Sequence, residues 1–430
     1  MQQNPMTVIT EIKPESLETL TQYLQPIGKD IKKNPVIQFS HYQQLHYCSF
    51  FIIPSNHPSG NPSATPALLV FEANIDGEVS DFIHDLVTDN SVFMNTVYGC
   101  CQGYHADNLV SYLLSHDYGA NAFYVSHPGQ TRNTIYQQQQ LRERIEQYVD
   151  ANRPALVSQQ PEQIQAAIVN HLGDIPKAEP RPFLTRMGAT IFNGALIVLV
   201  LAILAGLFGF LGSVAQTVVV IVLILAAIYA IVLRSHENHD IQDSKPWDSP
   251  NVSAVQDVED RQLQNHLTSV IEIKPGFFRL MTLKIVLYAI SLVAKLVATK
   301  GDLSGIVTIH FARWVILPDE KRLLFMSNYD GSWENYLGEF IDHASSGLTA
   351  VWSNTQMDKD RGFPDTKWLF LQGGSRDEQR FKAFARNSQL AELIWYSAYP
   401  DLSVKNVANN RNIHEGLSSS SNLAAWLKSL

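Results

Sequence analysis

The amino-acid sequence predicts an α+β protein in which two similar βαββαβ units pack sheet to sheet and a two-helix transmembrane hairpin interrupts them. Three observations lead there. From Gly188 to Leu233, 46 residues pass without one Asp, Glu, Lys, Arg or His. Blocks of sequence before that run recur after it in the same order. Within each block, alternating β-branched stretches and helix-period stretches follow one another in one repeated sequence.

Composition sets the frame. A chain of 430 residues suggests two to four domains. Charged residues make up 17%, against roughly 25% in a typical soluble domain, so apolar sequence is concentrated somewhere. The 43 Phe, Trp and Tyr residues exclude general disorder. A net charge of -9 argues against a nucleic-acid partner, which needs a basic face. The three cysteines, Cys48, Cys100 and Cys101, form neither a disulfide framework nor a zinc pattern, which fits a reducing compartment. Met1 to Pro14 lacks the basic and apolar regions of a cleavable signal peptide.

The charge-free run is too long for one span of about 20 residues. It divides into spans at 188–208 and 214–233, around a turn at Gly209-Phe210-Leu211-Gly212-Ser213. Ala202 and Gly206, four apart, let the two helices approach closely. Lys177, Arg181 and Arg186 precede the hairpin and Arg234 follows it, so the positive-inside tendency places both flanks, and both termini, in the cytoplasm. The hairpin (188–233) follows a helix and proline-rich linker at 151–187 and precedes a polar linker at 234–262.

Glu11-Ile12-Lys13-Pro14 recurs as Glu272-Ile273-Lys274-Pro275. Leu69 to Gly99 aligns without a gap to Leu323 to Ser353, with seven of 31 positions identical. Asn74-Ile75-Asp76-Gly77 there meets Asn328-Tyr329-Asp330-Gly331. The first repeat (1–150) reads as a strand at 7–12, a helix at 15–32, strands at 46–53 and 67–73, a helix at 78–87 and a strand at 122–125. The second (263–400) reads as a strand at 269–273, a helix at 276–298, strands at 306–317 and 322–327, a helix at 333–343 and a strand at 367–371. Helices at 131–150 and 376–396 follow, and 401–430 reads as a mobile tail. Strand, helix, strand, strand, helix, strand is the ferredoxin-like order. Its sheet has one bare face, and two copies on one side of a membrane can cover each other.

Tandem units of this kind resemble the dimeric α/β-barrel superfamily, which includes dye-decolorising peroxidases and chlorite dismutases. The peroxidases carry a Gly-x-x-Asp-Gly motif whose aspartate works on the distal side of haem. The stretches ending Asp76-Gly77 and Asp330-Gly331 match its last two positions and lack its first glycine. The resemblance implies an oxidoreductase with haem as its cofactor.

From the residues themselves, His310, Arg313 and Asp330 are the candidate catalytic groups, and His46 and His310 the candidate cofactor ligands. His310, Ala312 and Trp314 should share one strand face, and His46, Cys48 and Phe50 the matching face, with Arg313 opposite His310. Facing histidines could reach one cavity; equally, they could be hydrogen-bonded core residues. Asp76 and Asp330 precede glycine at a strand-to-helix turn, where a carboxylate caps the helix that follows. Asn74 and Asn328 would support the same turn. No metal-ligand spacing occurs.

The helix at 276–298 is apolar around most of its circumference, with Lys284 and Lys295 on a narrow polar stripe. One side should pack on the sheet and the remainder on the hairpin or bilayer surface. A third span is the alternative, against which the two lysines weigh. Two functions remain open: a membrane-anchored module binding a small apolar ligand or cofactor, as a haem-type oxidoreductase, or a non-enzymatic membrane-anchored assembly or sensor module.

Overall fold

The computed structural model describes residues 2–55, 65–210, 212–241, 259, 262–299, 301–303, 305–358, 360–419 and 422–430. Leu211 of the expected hairpin turn, most of the polar linker and Ser420-Ser421 of the expected tail lie outside them.

The long strands follow the alternating stretches of the sequence. They are β1 (Gln3–Glu11), β2 (Leu45–Ile53), β3 (Leu68–Asp76), β4 (Ala122–Val125), β5 (Gln264–Ile273), β6 (Ile309–Ile316) and β7 (Arg322–Asp330). Short strands β8 (Thr355–Gln356), β9 (Thr366–Lys367), β10 (Gln372–Gly373) and β11 (Gln389–Leu390) precede β12 (Ile394–Ser397). Two antiparallel sheets result, ordered β1-β3-β2-β12 and β11-β5-β7-β6-β4. The two halves are therefore interlocked. β4, from before the hairpin, pairs with β6, and β12, from after it, pairs with β2.

Every residue of β3 and of β7 is buried, as expected for strands covered on both faces. On the outer side of the first sheet, α1 (Leu17–Lys29) and α2 (Val79–Asp89) set Leu20, Leu24, Ile83 and Leu86 against Phe50 and Phe71. The second sheet likewise meets Leu283, Leu287, Leu337 and Phe340 through Trp314 and Phe325. Between the sheets, Ile9, Phe51, Ile53 and Val70 join Val270, Val315, Leu324 and Met326 in a third cluster. The turns after β3 and β7 require glycine, because Gly77 and Gly331 have φ of 84° and 81°.

The remaining helices are α3 (Ser91–Tyr98), α4 (Leu109–Ser115), α5 (Arg132–Leu156), α6 (Pro161–Leu172), α7 (Phe183–Leu207), α8 (Gly212–His239), α9 (Phe277–Leu296), α10 (Trp333–Trp352), α11 (Glu378–Asn387), α12 (Val404–Gly416) and α13 (Leu423–Leu427). Helices α7, α8 and α9 are each long and apolar enough to cross a membrane. In α7 and α8 nearly every apolar side chain is exposed, Leu199 by 56% and Leu225 by 59%. The two helices touch near the turn, where a Cβ on Gly206 would lie 2.5 Å from Val219.

Three expectations are corrected. The strand expected at 367–371 is absent; Trp368 and Leu369 adopt φ of 56° and 64°, which breaks an extended run. The last long-sheet strand of the second half is instead β12, inside the stretch expected to be helical to residue 396. Its Ile-Trp-Tyr-Ser run is β-branched and aromatic, with alternate residues buried. The segment from 401, expected as a tail, forms α12 and α13. Ser403 and Asn406 make a capping box, and Ile413 and Trp426 pack on Ile145 and Ile168.

Strand exchange generates a direct prediction. Cys48 lies opposite Tyr396 in the β2–β12 pairing. A Tyr396→Cys protein, mildly oxidised, is expected to form a disulfide within one chain. Non-reducing electrophoresis checks it; a dimer band alone would assign this pairing to two chains.

Candidate functional site

The polar groups of the molecule gather between the sheets, and β-bulges put two of them there. Ile309 pairs with Tyr329 and Phe311 with Asn328, so His310 is an extra residue in β6. Leu45 pairs with Ile75 and Tyr47 with Asn74, which makes His46 the extra residue of β2. A bulge re-aims the side chains around it. Ala312 and Trp314 therefore stay in the outer core while the His310 ring lies 5.5 Å from that of Tyr47. Cys48 and Phe50 likewise stay in the outer core of their sheet, and His46 lies 5.3 Å from Phe311. The expected sharing of one face is thus broken at the bulge, and His310 and Arg313 both turn inward rather than to opposite sides. The two histidines do line one cavity, with Gln3, Val125, His127, Gln130, Phe311 and Tyr399. It has room for about one water molecule.

Each histidine holds an aspartate. His310 Nε2 lies 2.7 Å from Asp330 Oδ1, and His46 Nε2 lies 3.0 Å from Asp76 Oδ1. His46 Nδ1 also meets the Tyr399 hydroxyl at 2.8 Å. The second oxygen of each carboxylate accepts a backbone N–H at a helix start: Arg132 N to Asp76 at 2.8 Å, and Val404 N to Asp330 at 2.7 Å. The aspartates do cap helices, but not those expected. They cap α5 and α12, far along the chain, because Gly77 and Gly331 carry α2 and α10 away and the inward carboxylate meets the helix that follows the exchanged strand. Asn74 and Asn328 are corrected similarly. Asn74 accepts from Arg313, and Asn328 accepts from Trp395 Nε1 at 3.1 Å.

Arg313 is buried beside Glu72, with Nη2 2.9 Å from Oε2. It also donates to Met6 O, Thr7 Oγ1 and Ala73 O. Glu72 accepts from Ser49 at 3.2 Å and lies 3.4 Å from His266 Nε2. His266 Nδ1 in turn lies 2.8 Å from Glu392. Burial opposes the charge on Glu72, yet Arg313, His266 and Ser49 outweigh it and hold the carboxyl below its usual range. Burial likewise opposes protonation of His266, but Glu392 and Glu72 push its pKa up to about 9. His127 has no such partner; burial, then His310, Arg411 and Arg181, bring it down to about 3, so it is neutral. Burial raises the Tyr47 and Tyr399 hydroxyls well above their ordinary range.

This arrangement does not fit a haem. The ring nitrogens that would bind iron face Asp76, Tyr399 and Asp330, and Tyr47, Phe311 and Tyr399 fill the space between the histidines. Among the described residues no group of three His, Cys, Asp or Glu side chains could hold a metal ion. Cys101 is buried, and burial pushes its thiol up to about 11. A cleft lined by Lys32, Ser40, Tyr136, Tyr396 and Asp401 opens to solvent outside Tyr399. Its lining is mixed polar and apolar, and Tyr399 separates it from the paired histidines. Comparison with family models, curated proteins and solved structures finds no match to this chain.

Several of these residues carried a signal that element order did not use. Gln3 donates to Gln130 O, and Gln264 donates to Leu402 O. Asn4 donates to Gly77 O, and Asn265 to Gly331 O, both at 2.9 Å. Ser126 N donates to His310 O, and Ala398 N to His46 O. The spacing Gln-Asn-x-x-Thr opens both β1 and β5, and x-Pro-x-x-(Thr or Ser) follows both β4 and β12.

Two predictions follow from the ionic centre. Arg313→Met leaves buried Glu72 with only His266 and Ser49 beside it, which costs up to about 3–5 kcal/mol; adding Glu72→Gln should restore most of it, as read from denaturation midpoints. Stability should also depend on pH with a definite sign. The folded pKa of His266 lies above its unfolded value near 6.5, so its contribution is complete below that pH and disappears as pH rises through about 9. Glu72 has the opposite sense, present above about pH 4.5 and lost as pH falls. Melting temperature should decline from pH 6.5 to 9, and His266→Gln should flatten that limb.

Asp330→Asn retains the cap acceptor and weakens only the histidine contact. It should cost about 1 kcal/mol, and the melting temperature checks it.

Proposed function

We propose that this protein is a membrane-anchored, non-enzymatic module: two ferredoxin-like repeats, derived by duplication, assembled into one rigid body on the cytoplasmic side of a bilayer that α7 and α8 span. The observation that carries the reading is the exposed apolar surface of α7 and α8 beside an inter-sheet space already filled by side chains. Exposed apolar residues on this scale mark a membrane or protein contact. A bilayer suits two adjacent helices of 25 and 28 residues, since about 20 cross the hydrocarbon.

The duplication is supported by the paired hydrogen bonds of Gln3 and Gln264, of Asn4 and Asn265, and of Asp76 and Asp330. Strand orders β1-β3-β2 and β5-β7-β6, each completed by a strand from the other half, suit the tandem arrangement of the dimeric α/β-barrel superfamily. Two spans return the chain to the side it left, which interlocking requires. The basic residues Arg186 and Arg234 at the base favour the cytoplasm. Against a haem-type oxidoreductase stand the engaged ring nitrogens and the single-water cavity. With His310, Asp330 and Arg313 all held by protein partners, their proposed role is to hold the two halves together.

Detergent-purified protein incubated with hemin and then desalted should show no Soret band, and reconstituted protein should float with vesicles after alkaline carbonate washing. A retained Soret band that His310→Ala abolishes would restore the oxidoreductase reading. Release by carbonate would remove the span. Reporter fusions at residues 150 and 430 should both read cytoplasmic.

A further inference from the structure

The third long apolar helix, α9, has a surface whose partner the anchored module does not by itself specify. One turn of the helical wheel shows three distinct sides, at about 100° per residue. Arg279, Leu283, Leu287 and Ala294 are buried on the inner side, with Leu283 and Leu287 in the core of the second sheet. A flank next to them meets the hairpin. Phe278 stacks on His236, ring centroids 4.8 Å apart, and lies 5.3 Å from Tyr229. Thr282 accepts or donates at 3.2 Å with the Tyr229 hydroxyl. At the other end of α9, a Cβ on Gly188 would lie 2.2 Å from the Leu296 carbonyl oxygen, and Thr299 bonds to Thr185 O. Among the described residues nothing covers the side opposite the sheet: Phe277, Ile285, Tyr288 and Leu292 are exposed there, Ile285 by 60% and Tyr288 by 66%.

The ends of α9 decide how this stripe is covered. Its first turn sits against residues 229–236, near the end of α8, and its last turn against residues 185–188, at the start of α7. In a spanning hairpin those two places lie at the same membrane surface. A third span would put its ends at opposite surfaces, so α9 does not cross. Arg279 and Lys274 both pair with Asp240 just beyond α8, which fixes the α9 start at that level. Lys284, paired with Glu320 at 2.6 Å, and Lys295 border the exposed stripe on the flank away from the hairpin, at the level of the headgroups.

We propose that α9 lies along the bilayer surface as an in-plane helix, with Ile285, Tyr288 and Leu292 dipping below the headgroups and the second sheet resting on its back. This rests on the membrane anchoring proposed above. It adds that the module is held flat against the lipid surface rather than tethered at a distance from it. The partner is the lipid itself, because the exposed stripe is continuous with the apolar surface of α7 and α8 and the helix is already fixed at their base.

Spin labels test this on the full chain in a Cys100→Ser background, with the unlabelled background protein as control for the buried Cys48 and Cys101. Cysteines are placed singly at Leu199, Leu225, Tyr288 and Glu18, the last exposed on α1 on the far side of the first sheet, and the protein is reconstituted in vesicles of phosphatidylcholine and phosphatidylglycerol. Oxygen and nickel-chelate accessibilities then report depth. Leu199 and Leu225 should read deep, Tyr288 shallow but below the headgroups, and Glu18 aqueous. Tyr288 as aqueous as Glu18 would overturn the in-plane helix while leaving the anchor intact. Tyr288 as deep as Leu199 would instead make α9 a third span. Aqueous readings at Leu199 and Leu225 would overturn the anchor, and the in-plane helix with it.

Discussion

The contact between Arg313 and Glu72 is the constraint on which the rest of the molecule depends. Both groups are fully buried between two sheets, where removing either leaves the other's charge poorly compensated. Their pairing requires β6 and β3 to face each other at one register. That register places the apolar layer of Phe51, Val70, Val315 and Leu324 to one side of the ion pair and the two histidine–aspartate pairs to the other. An apolar layer alone tolerates sliding; a guanidinium with donors aimed at Met6 O, Thr7, Ala73 O and Asn74 does not. Burying charge in this way adds little net stability and much specificity of arrangement.

Strand exchange is the consequence that matters most for the architecture. With β12 in the first sheet and β4 in the second, neither sheet is complete without the other half of the chain. The helices after those strands then return to their own half, where Asp76 and Asp330 accept the first N–H of α5 and α12. The repeated pattern is not perfectly symmetric. Tyr399 meets His46, whereas His127, at the corresponding place after β4, carries a neutral ring beside His310. The ion pair is one-sided as well: Ser49 stands where the second half has Arg313, and Met326 where the first has Glu72.

Much of this was legible in the sequence, and the losses have physical causes. Periodicity located the seven long strands of both halves, and the charge-free run located α7 and α8 to within a few residues of their cores. β12 was missed because Glu378 to Asn387 is helical and the helix-period pattern was carried past its end. The tail was missed because its Asn and Ser residues serve as caps at Ser403 and Asn406 rather than as loop residues. At the centre, His46, His310, Asp76, Asp330 and Arg313 could be singled out from the sequence, and the two histidines share a cavity. Their facing was not readable, because a β-bulge adds one residue to a strand and reverses every parity argument on one side of it. Glu72 and His266 were passed over, since a charge within an apolar strand looks ordinary until its partner in a distant strand is known.

The central claim is that the two halves form a single interlocked unit rather than two domains joined by a hairpin. Hydrogen–deuterium exchange measured along a denaturant series in detergent micelles tests this most directly, by following residues 45–53 and 309–316 in the same molecules. Protection of β2 and β6 should be lost at one common midpoint, because one neighbour of each strand belongs to the other half and the buried Glu72–Arg313 pair couples the two sheets. Two separated midpoints, with one strand still protected after the other has fully exchanged, would contradict it.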